Sequence, residues 1–203
     1  MDSSKLIIKL YADDRSADFD AKDAVPIFHS WIQSRAIADH LLIDVADYTH
    51  VTDGPGVVLV AHEANYYLDR FDGRLGLSYS RKRPLEGTFA ERLRFVVTSA
   101  LEAAARLEET PALADRLQFR TDQLTFKIND RLLGPNNAET LDTVRPDLEQ
   151  LMLQLYGDRA TLQLDHNPDP KHLFEIKLIV SADPAPELDT LLARVGWAQL
   201  ASD

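Results

Sequence analysis

The sequence predicts an α+β fold built from two βαββα-like, ferredoxin-like units whose mainly antiparallel sheets are covered by helices. Two observations lead to this prediction. Strand-like and helix-like patterns alternate along the chain, which is typical of neither an all-α nor an all-β protein. The order of the elements also repeats, because residues 6–45 and 124–164 both read as strand, loop, helix and strand. An internal duplication would explain this repeat.

The repeat predicts a boundary between the two units near residue 112. Residues 1–112 would form an N-terminal α+β unit, and residues 113–203 would form a C-terminal α+β unit. One continuous domain, with a single sheet built from both halves, predicts the same pattern, and this alternative stays open.

The first unit contains four predicted strands and two predicted helices. The strands are runs of apolar and β-branched residues at 6–11, 41–45, 57–61 (with an extension to 68 left open) and 74–80. Apolar residues spaced three and four apart predict helices over 24–35 and 89–108. Thr88 and Glu91 have the spacing of a capping box, which marks the start of the second helix. Phe71, Asp72 and Gly73 predict a hairpin loop with the glycine in a left-handed conformation.

The second unit begins again with strands, predicted at 117–120, 124–128, 161–164 and 173–180. A helix with apolar residues from Leu141 to Leu155 lies between them. Pro146 interrupts that pattern, so we expect a kink or two abutting helices. A last helix is predicted over 186–195. Trp197 follows it and is expected to pack on the core, with anchoring at an interface as the alternative.

Composition limits the class of protein. The chain has 203 residues, a formal net charge of −11 and no cysteine. The negative charge disfavours a general role on nucleic acid or on a membrane surface, both of which need a basic face. Without cysteine there is no disulfide, no thiolate nucleophile and no cysteine-ligated metal. The first residues do not resemble a secretory signal, and no apolar run approaches the roughly 18 residues of a membrane span. A cytoplasmic location is therefore predicted.

Polar residues follow the predicted strand 57–61 and are the candidates for catalysis. His62 and Glu63 come directly after this strand, and Asn65 follows them. His62 would act as a general base, with Glu63 or Asn65 orienting it. Neighbouring strand residues point to opposite faces, however, so both could reach one substrate only through a bulge near residue 64 or 65. In the non-catalytic alternative, His62 forms a hydrogen bond at the sheet edge and Glu63 is solvated.

A metal site is a further hypothesis, because oxygen and imidazole donors occur close together in the sequence. The weak candidates are Asp47, His50 and His62, with Asp44 and Glu63 nearby. No spacing typical of a metal motif connects them. The chain also lacks the glycine-rich signatures that bind nucleotides, so no cofactor is predicted.

A local basic cluster stands out in this acidic chain. The segment of residues 69–83 contains five basic residues and only two aspartates. The predicted binding residues are Tyr66, Tyr67, Arg70, Arg74, Arg81, Lys82 and Arg83. These residue types favour an anionic ligand or an acidic surface on a partner or a second copy. A solvated hairpin whose charges pair with nearby acids is the alternative.

Three stretches of the chain resemble a group of bacterial cytosolic proteins of about this length. They are LLIDVADYTHVTDGPGVVLVAHEANYYLDR, GRLGLSYSRKRPLEG and FRTDQLTFKINDRLLGPN. The resemblance implies a compact cytosolic bacterial protein and brings no activity, ligand or catalytic residue with it.

The leading hypothesis is a non-catalytic binding or accessory protein, as a homodimer or as a subunit of an assembly. Its 66–83 hairpin would engage an anionic small molecule or an acidic protein surface. The alternatives are a small hydrolase or isomerase with His62 as general base, or a metal-binding protein. Neither a membrane nor a nucleic acid is predicted as a partner.

Overall fold

Side chains of the central strands alternate between two faces of the sheet, and one of these faces forms the hydrophobic core. In β1, Leu6, Ile8 and Leu10 lie in the hydrophobic core, while Lys9 and Tyr11 point to the second face of the sheet. The structure, a computed structural model, describes residues 1–16 and 18–195. Trp197, which was predicted to pack on the core, lies outside these residues.

The predicted α+β class is confirmed. In the described part of the chain, four helices pack on one eight-stranded sheet in which each pair of neighbouring strands is antiparallel. The strands are β1 (Leu6–Ala12), β2 (Leu42–Asp47), β3 (Val57–Ala61), β4 (Ala64–Asp69), β5 (Gly76–Arg81), β6 (Phe119–Ile128), β7 (Thr161–His166) and β8 (Phe174–Ser181). The helices are α1 (Val25–Ser34), α2 (Phe89–Glu108), α3 (Ala138–Tyr156) and α4 (Leu188–Arg194).

Both halves of the chain contribute to this single sheet, whose strand order is β2-β3-β4-β5-β1-β6-β8-β7. Pairing of β1 with β6 joins the halves, with Ile8 opposite Phe126. Helix α2 packs on β1 and β5 and also on α3 and α4. The structure therefore has the continuous sheet that the sequence left as an alternative. The N-terminal half supplies five strands and the C-terminal half three, and a duplication with a boundary at residue 112 stays a prediction.

Local sequence signals account for the longest helix. The Thr88 hydroxyl accepts a hydrogen bond from the Glu91 backbone N–H, and the Glu91 carboxylate accepts one from the Thr88 N–H, which completes the predicted capping box. The hairpin loop before β5 is also confirmed, with Gly73 at a φ of 79°.

One of two sequence expectations about continuity was wrong, and the other was wrong in one of its two alternatives. Residues 117–120 and 124–128 were predicted as separate strands, but β6 runs unbroken through 119–128 and absorbs the irregularity as a register shift against β1. Helix α3 continues through Pro146, so the alternative of two abutting helices was wrong, whereas the kink stays a prediction. Val144 and Leu148 are both fully buried, so core packing holds the helix on either side of the proline. Within 1–16 and 18–195, no helix has the length and apolar character needed to cross a membrane.

Candidate ligand-binding cavity

His62 and Glu63 form the short turn between β3 and β4, and they touch each other. His62 Nδ1 lies 3.2 Å from Glu63 Oε1. The expectation that strand alternation separates the two side chains was wrong, because neither residue lies within a strand. The other Glu63 oxygen accepts a hydrogen bond from the Leu41 backbone N–H, and Arg83 Nη2 lies 3.4 Å from His62 Nε2. His62 is half exposed here, and its role as a general base stays a prediction.

Asn65, the third catalytic candidate, does not join this pair. It lies in β4 and its amide donates to the Tyr67 hydroxyl on the second face of the sheet. The weak metal candidates are also dispersed. Asp47 pairs in register with Val57, at the opposite end of β3 from His62, and the Asp47 carboxylate is bonded to Thr49. In the described residues there is no group of three or more metal-ligating side chains positioned to hold an ion.

The predicted basic cluster is divided between two ends of β5. Arg70 and Arg74 lie in the loop before this strand, where Arg74 stacks over the Tyr11 ring at 4.0 Å. Arg81, Lys82 and Arg83 lie at the far end of this extended strand of six residues. The two tyrosines also separate, because Tyr66 faces the buried core and Tyr67 faces the second face. The structure does not bring the seven predicted binding residues together into one patch.

A cavity on the helical side of the sheet brings other residues together. It has a volume of about 540 Å³ and lies between α2 and the loop that precedes β2. We call it the His40 cavity. Its walls include Asp39, His40, Arg94, Phe95, Thr98 and Glu102.

His40 lies in this wall with one nitrogen unsatisfied. Its side chain is only 7% exposed. The ring packs edge-on against Tyr66 and Tyr79, and its Nε2 lies 2.9 Å from the Tyr79 hydroxyl. The other ring nitrogen, Nδ1, and the Tyr66 hydroxyl are buried and have no hydrogen-bond partner in the described residues. A buried polar atom without a partner costs about 1–3 kcal/mol of stability.

Arg81 places a buried cation beside the same ring cluster. The residue is 8% exposed. Its guanidinium donates to the backbone carbonyls of Arg83 and Pro84 and lies 5.5 Å from the centre of the Phe95 ring. It forms no ion pair within the described residues. Only this one of the three consecutive basic residues is buried, because strand alternation turns it toward the core.

Burial sets the ionisation of the cavity. It lowers the pKa of His40 to about 4, with the nearby Arg81 charge as the next cause. The imidazole is therefore neutral at pH 7 and can either donate or accept a hydrogen bond. Burial also raises the pKa of Glu102, against the opposing effect of its hydrogen bond with Arg106.

Comparison with protein-family models, with curated proteins and with solved structures found no match for this chain. The resemblance to a group of bacterial proteins therefore stays a prediction.

Sequence reasoning identified Tyr66 and Arg81, which lie against His40 and Phe95 of the cavity wall, but missed the residues that line the cavity. His40 stands alone after a helix, where a histidine is an ordinary surface residue. Thr98 and Glu102 are polar residues of α2, and the apolar stripe of this helix was sufficient to predict it without assigning them a role. The one signal available in the sequence was that they are polar residues in a helix with many apolar ones. That signal does not show that the loop containing His40 lies opposite them.

Proposed function

We propose that the protein is a non-catalytic binding protein that holds a small anionic molecule in the His40 cavity. The observation that carries this proposal is the buried Arg81, a cation with no ion-pair partner in the described residues, which lies 5.5 Å from the ring of Phe95 in the cavity wall. Cavities that bind small molecules have volumes of about 300–1,000 Å³, and this one lies within that range.

The energetics of Arg81 favour an anion. Two backbone carbonyls and an aromatic ring compensate part of the cost of removing the guanidinium from water. A carboxylate or phosphate oxygen would add a charge-assisted hydrogen bond, which is about twice as strong as a neutral one.

The remaining walls restrict the ligand. The neutral His40 and the buried Thr98 hydroxyl can pair with polar groups, and Phe95 offers a flat apolar surface. Asp39 and Glu102 also line the cavity. These carboxylates would repel a molecule carrying several negative charges, so we expect a ligand with one anionic group and a flat or apolar body.

Ligand-induced stabilisation tests this proposal. Thermal unfolding of the full chain should be measured with benzoate, with its neutral counterpart benzamide, and with inorganic phosphate. A ligand at one hundred times its Kd stabilises the folded state by about 2.7 kcal/mol. Benzoate should therefore raise Tm, and benzamide should do so much less.

Two variants connect that effect to Arg81. Arg81→Gln should weaken benzoate binding by roughly 10- to 100-fold, because it removes a charged hydrogen-bond donor worth about 1.5–3 kcal/mol. Arg83→Gln is the matched control, since it removes an exposed arginine from the same segment. If Arg81→Gln does not fold, His40→Gln tests the same cavity. Equal Tm shifts from benzoate and benzamide, or an unchanged benzoate affinity in Arg81→Gln and His40→Gln, would contradict the proposal.

A second candidate function is capture of an acidic protein surface, including that of a second copy. Lys82 and Arg83 are exposed and lie beside His62 at one end of the sheet. Reversing both charges should abolish self-association measured by sedimentation velocity. The control reverses two other exposed basic residues, Arg159 and Lys171. A wild-type chain that sediments as a monomer at all concentrations would remove self-association from consideration.

A further inference from the structure

A second hollow lies on the face of the sheet opposite the hydrophobic core. It has a volume of about 260 Å³. We call it the sheet hollow. Sheet and loop residues line it, among them Ile7, Pro55, Tyr67, Phe71, Ser78 and Ser80, and no residue of a helix does.

Small residues on β5 create this hollow. Ser78 lies between Lys9 on β1 and Tyr67 on β4, and Ser80 lies between Ile7 and Asn65 on the same two strands. Cross-strand neighbours stand about 5 Å apart, so two serines flanked by larger side chains leave a depression.

The loop before β5 forms one wall and is firmly held. The Asp72 carboxylate accepts hydrogen bonds from Lys9 Nζ at 2.6 Å and from the Tyr11 hydroxyl at 2.9 Å. Lys9 also pairs with Asp69 at 2.8 Å. At the tip of the loop, however, Phe71 is 68% exposed. A large apolar ring held at the rim of a hollow gains stability when a ligand covers it.

The charged groups of the sheet hollow are already paired. Lys9 is bonded to two aspartates, and Lys127 forms an ion pair with Glu175 at 2.6 Å. The described residues therefore offer no unpaired cation here, which separates this hollow from the His40 cavity. Its ligand is expected to be uncharged.

One polar group of the hollow has no partner. Ser80 is 8% exposed, and its hydroxyl makes no hydrogen bond within the described residues. Its register neighbour Asn65 carries a buried amide oxygen that also has no partner. Asn65 is not a lining residue of the hollow, so the Ser80 hydroxyl alone offers a ligand a hydrogen bond, as donor or as acceptor.

We propose that the sheet hollow binds a small uncharged molecule made of one apolar ring bearing a hydroxyl group, the class to which phenol belongs. The ring would lie against Ile7 and Phe71. Its hydroxyl would form a hydrogen bond with the Ser80 hydroxyl. A single ring fits because the volume is below the range of about 300–1,000 Å³ that holds drug-sized ligands.

Binding of phenol to the full chain, measured by NMR titration, tests this proposal, with toluene and benzoate as comparators. Phenol should bind about tenfold more tightly than toluene, which lacks the hydroxyl. Ser80→Ala should weaken phenol by a similar factor. Ser34→Ala, which removes an exposed hydroxyl from α1, should leave phenol binding unchanged.

Two further measurements keep the outcome decisive. Nuclear Overhauser effects from phenol in the wild-type chain should reach the protons of Ile7 and Phe71, which needs no variant. Benzoate affinity should be the same in Ser80→Ala and wild type, because the two sites lie on opposite faces of the sheet. Phenol that does not bind, phenol that contacts Phe95 in the His40 cavity instead, or toluene that binds as tightly as phenol would each overturn the proposal, whatever the result for benzoate.

Discussion

Replacing His40 with glutamine should change how the stability of the protein responds to pH. The pKa of this imidazole falls from 6.5 in the unfolded chain to about 4 in the folded chain, because the ring is buried and lies near Arg81. Above pH 6.5 both states are neutral and His40 causes no loss of stability. As the pH falls toward 4, the unfolded state takes up a proton that the folded state does not, so folding becomes less favourable.

The size of this effect follows from the two pKa values. A separation of one pKa unit corresponds to 1.36 kcal/mol. At pH 5, His40 should lower the free energy of unfolding by about 2 kcal/mol relative to pH 7, and at pH 4 by about 3 kcal/mol. This is a large part of the roughly 5–15 kcal/mol by which a domain is stable.

Urea unfolding followed by circular dichroism at pH 7 and pH 5 measures the difference. Carboxylates also titrate in this interval, so the wild type must be compared with His40→Gln, which keeps a polar side chain beside Tyr79 but does not titrate. The variant should lose about 2 kcal/mol less than the wild type between the two pH values. Parallel losses would refute the reasoning, because they would mean that His40 has the same pKa in both states.

Two pairs of substitutions test a buried ion pair on the second face of the sheet and the backbone at two glycines. Lys9→Met should destabilise the fold by about 3–5 kcal/mol in urea unfolding, since it leaves Asp69 buried without its cation. The control is Lys177→Met, which removes an exposed lysine from β8 and should change stability by less than about 0.5 kcal/mol. Equally small effects of the two substitutions would show that the buried pair contributes little to stability. Gly73→Ala should cost about 1 kcal/mol, because φ is 79° and the space around the glycine is open. Gly56→Ala should cost about 1–3 kcal/mol more, because its added methyl group would also meet the Leu68 carbonyl oxygen; equal unfolding midpoints for the two alanine variants would contradict this steric explanation.

Elements with local signals were predictable from the sequence. The start of α2 is fixed by contacts between Thr88 and Glu91, and the turn at Gly73 by the conformation that glycine favours. The β3–β4 turn gave no such signal, because His62 and Glu63 are not typical turn residues. A run of strand-forming residues on both sides therefore read as one strand, and the wrong alternation of His62 and Glu63 followed from it.

The candidate site was less predictable because its parts come together through long-range pairing. His40 meets Tyr79 across thirty-nine residues, and the α2 residues of the same cavity come from further along the chain. The basic residues next to Arg81 in the sequence identified it as a candidate binding residue. The face of the sheet to which its side chain points depends, however, on the register of β5. No local pattern in the sequence determines that register.

The alternation of β4 and β5 relates the two proposed sites. Tyr66, Tyr79 and Arg81 point to the helical side, whereas Tyr67, Ser78 and Ser80 point to the other side. A basic hairpin that reads as one patch in the sequence is thus divided between two faces in the folded protein. Because the period of a strand is two residues, a slip of one residue would exchange Arg81 with Ser80 and place a cation in the neutral hollow. The same packing that keeps β5 in register therefore also keeps Arg81 and Ser80, the residues on which the two proposed sites depend, on opposite faces of one sheet.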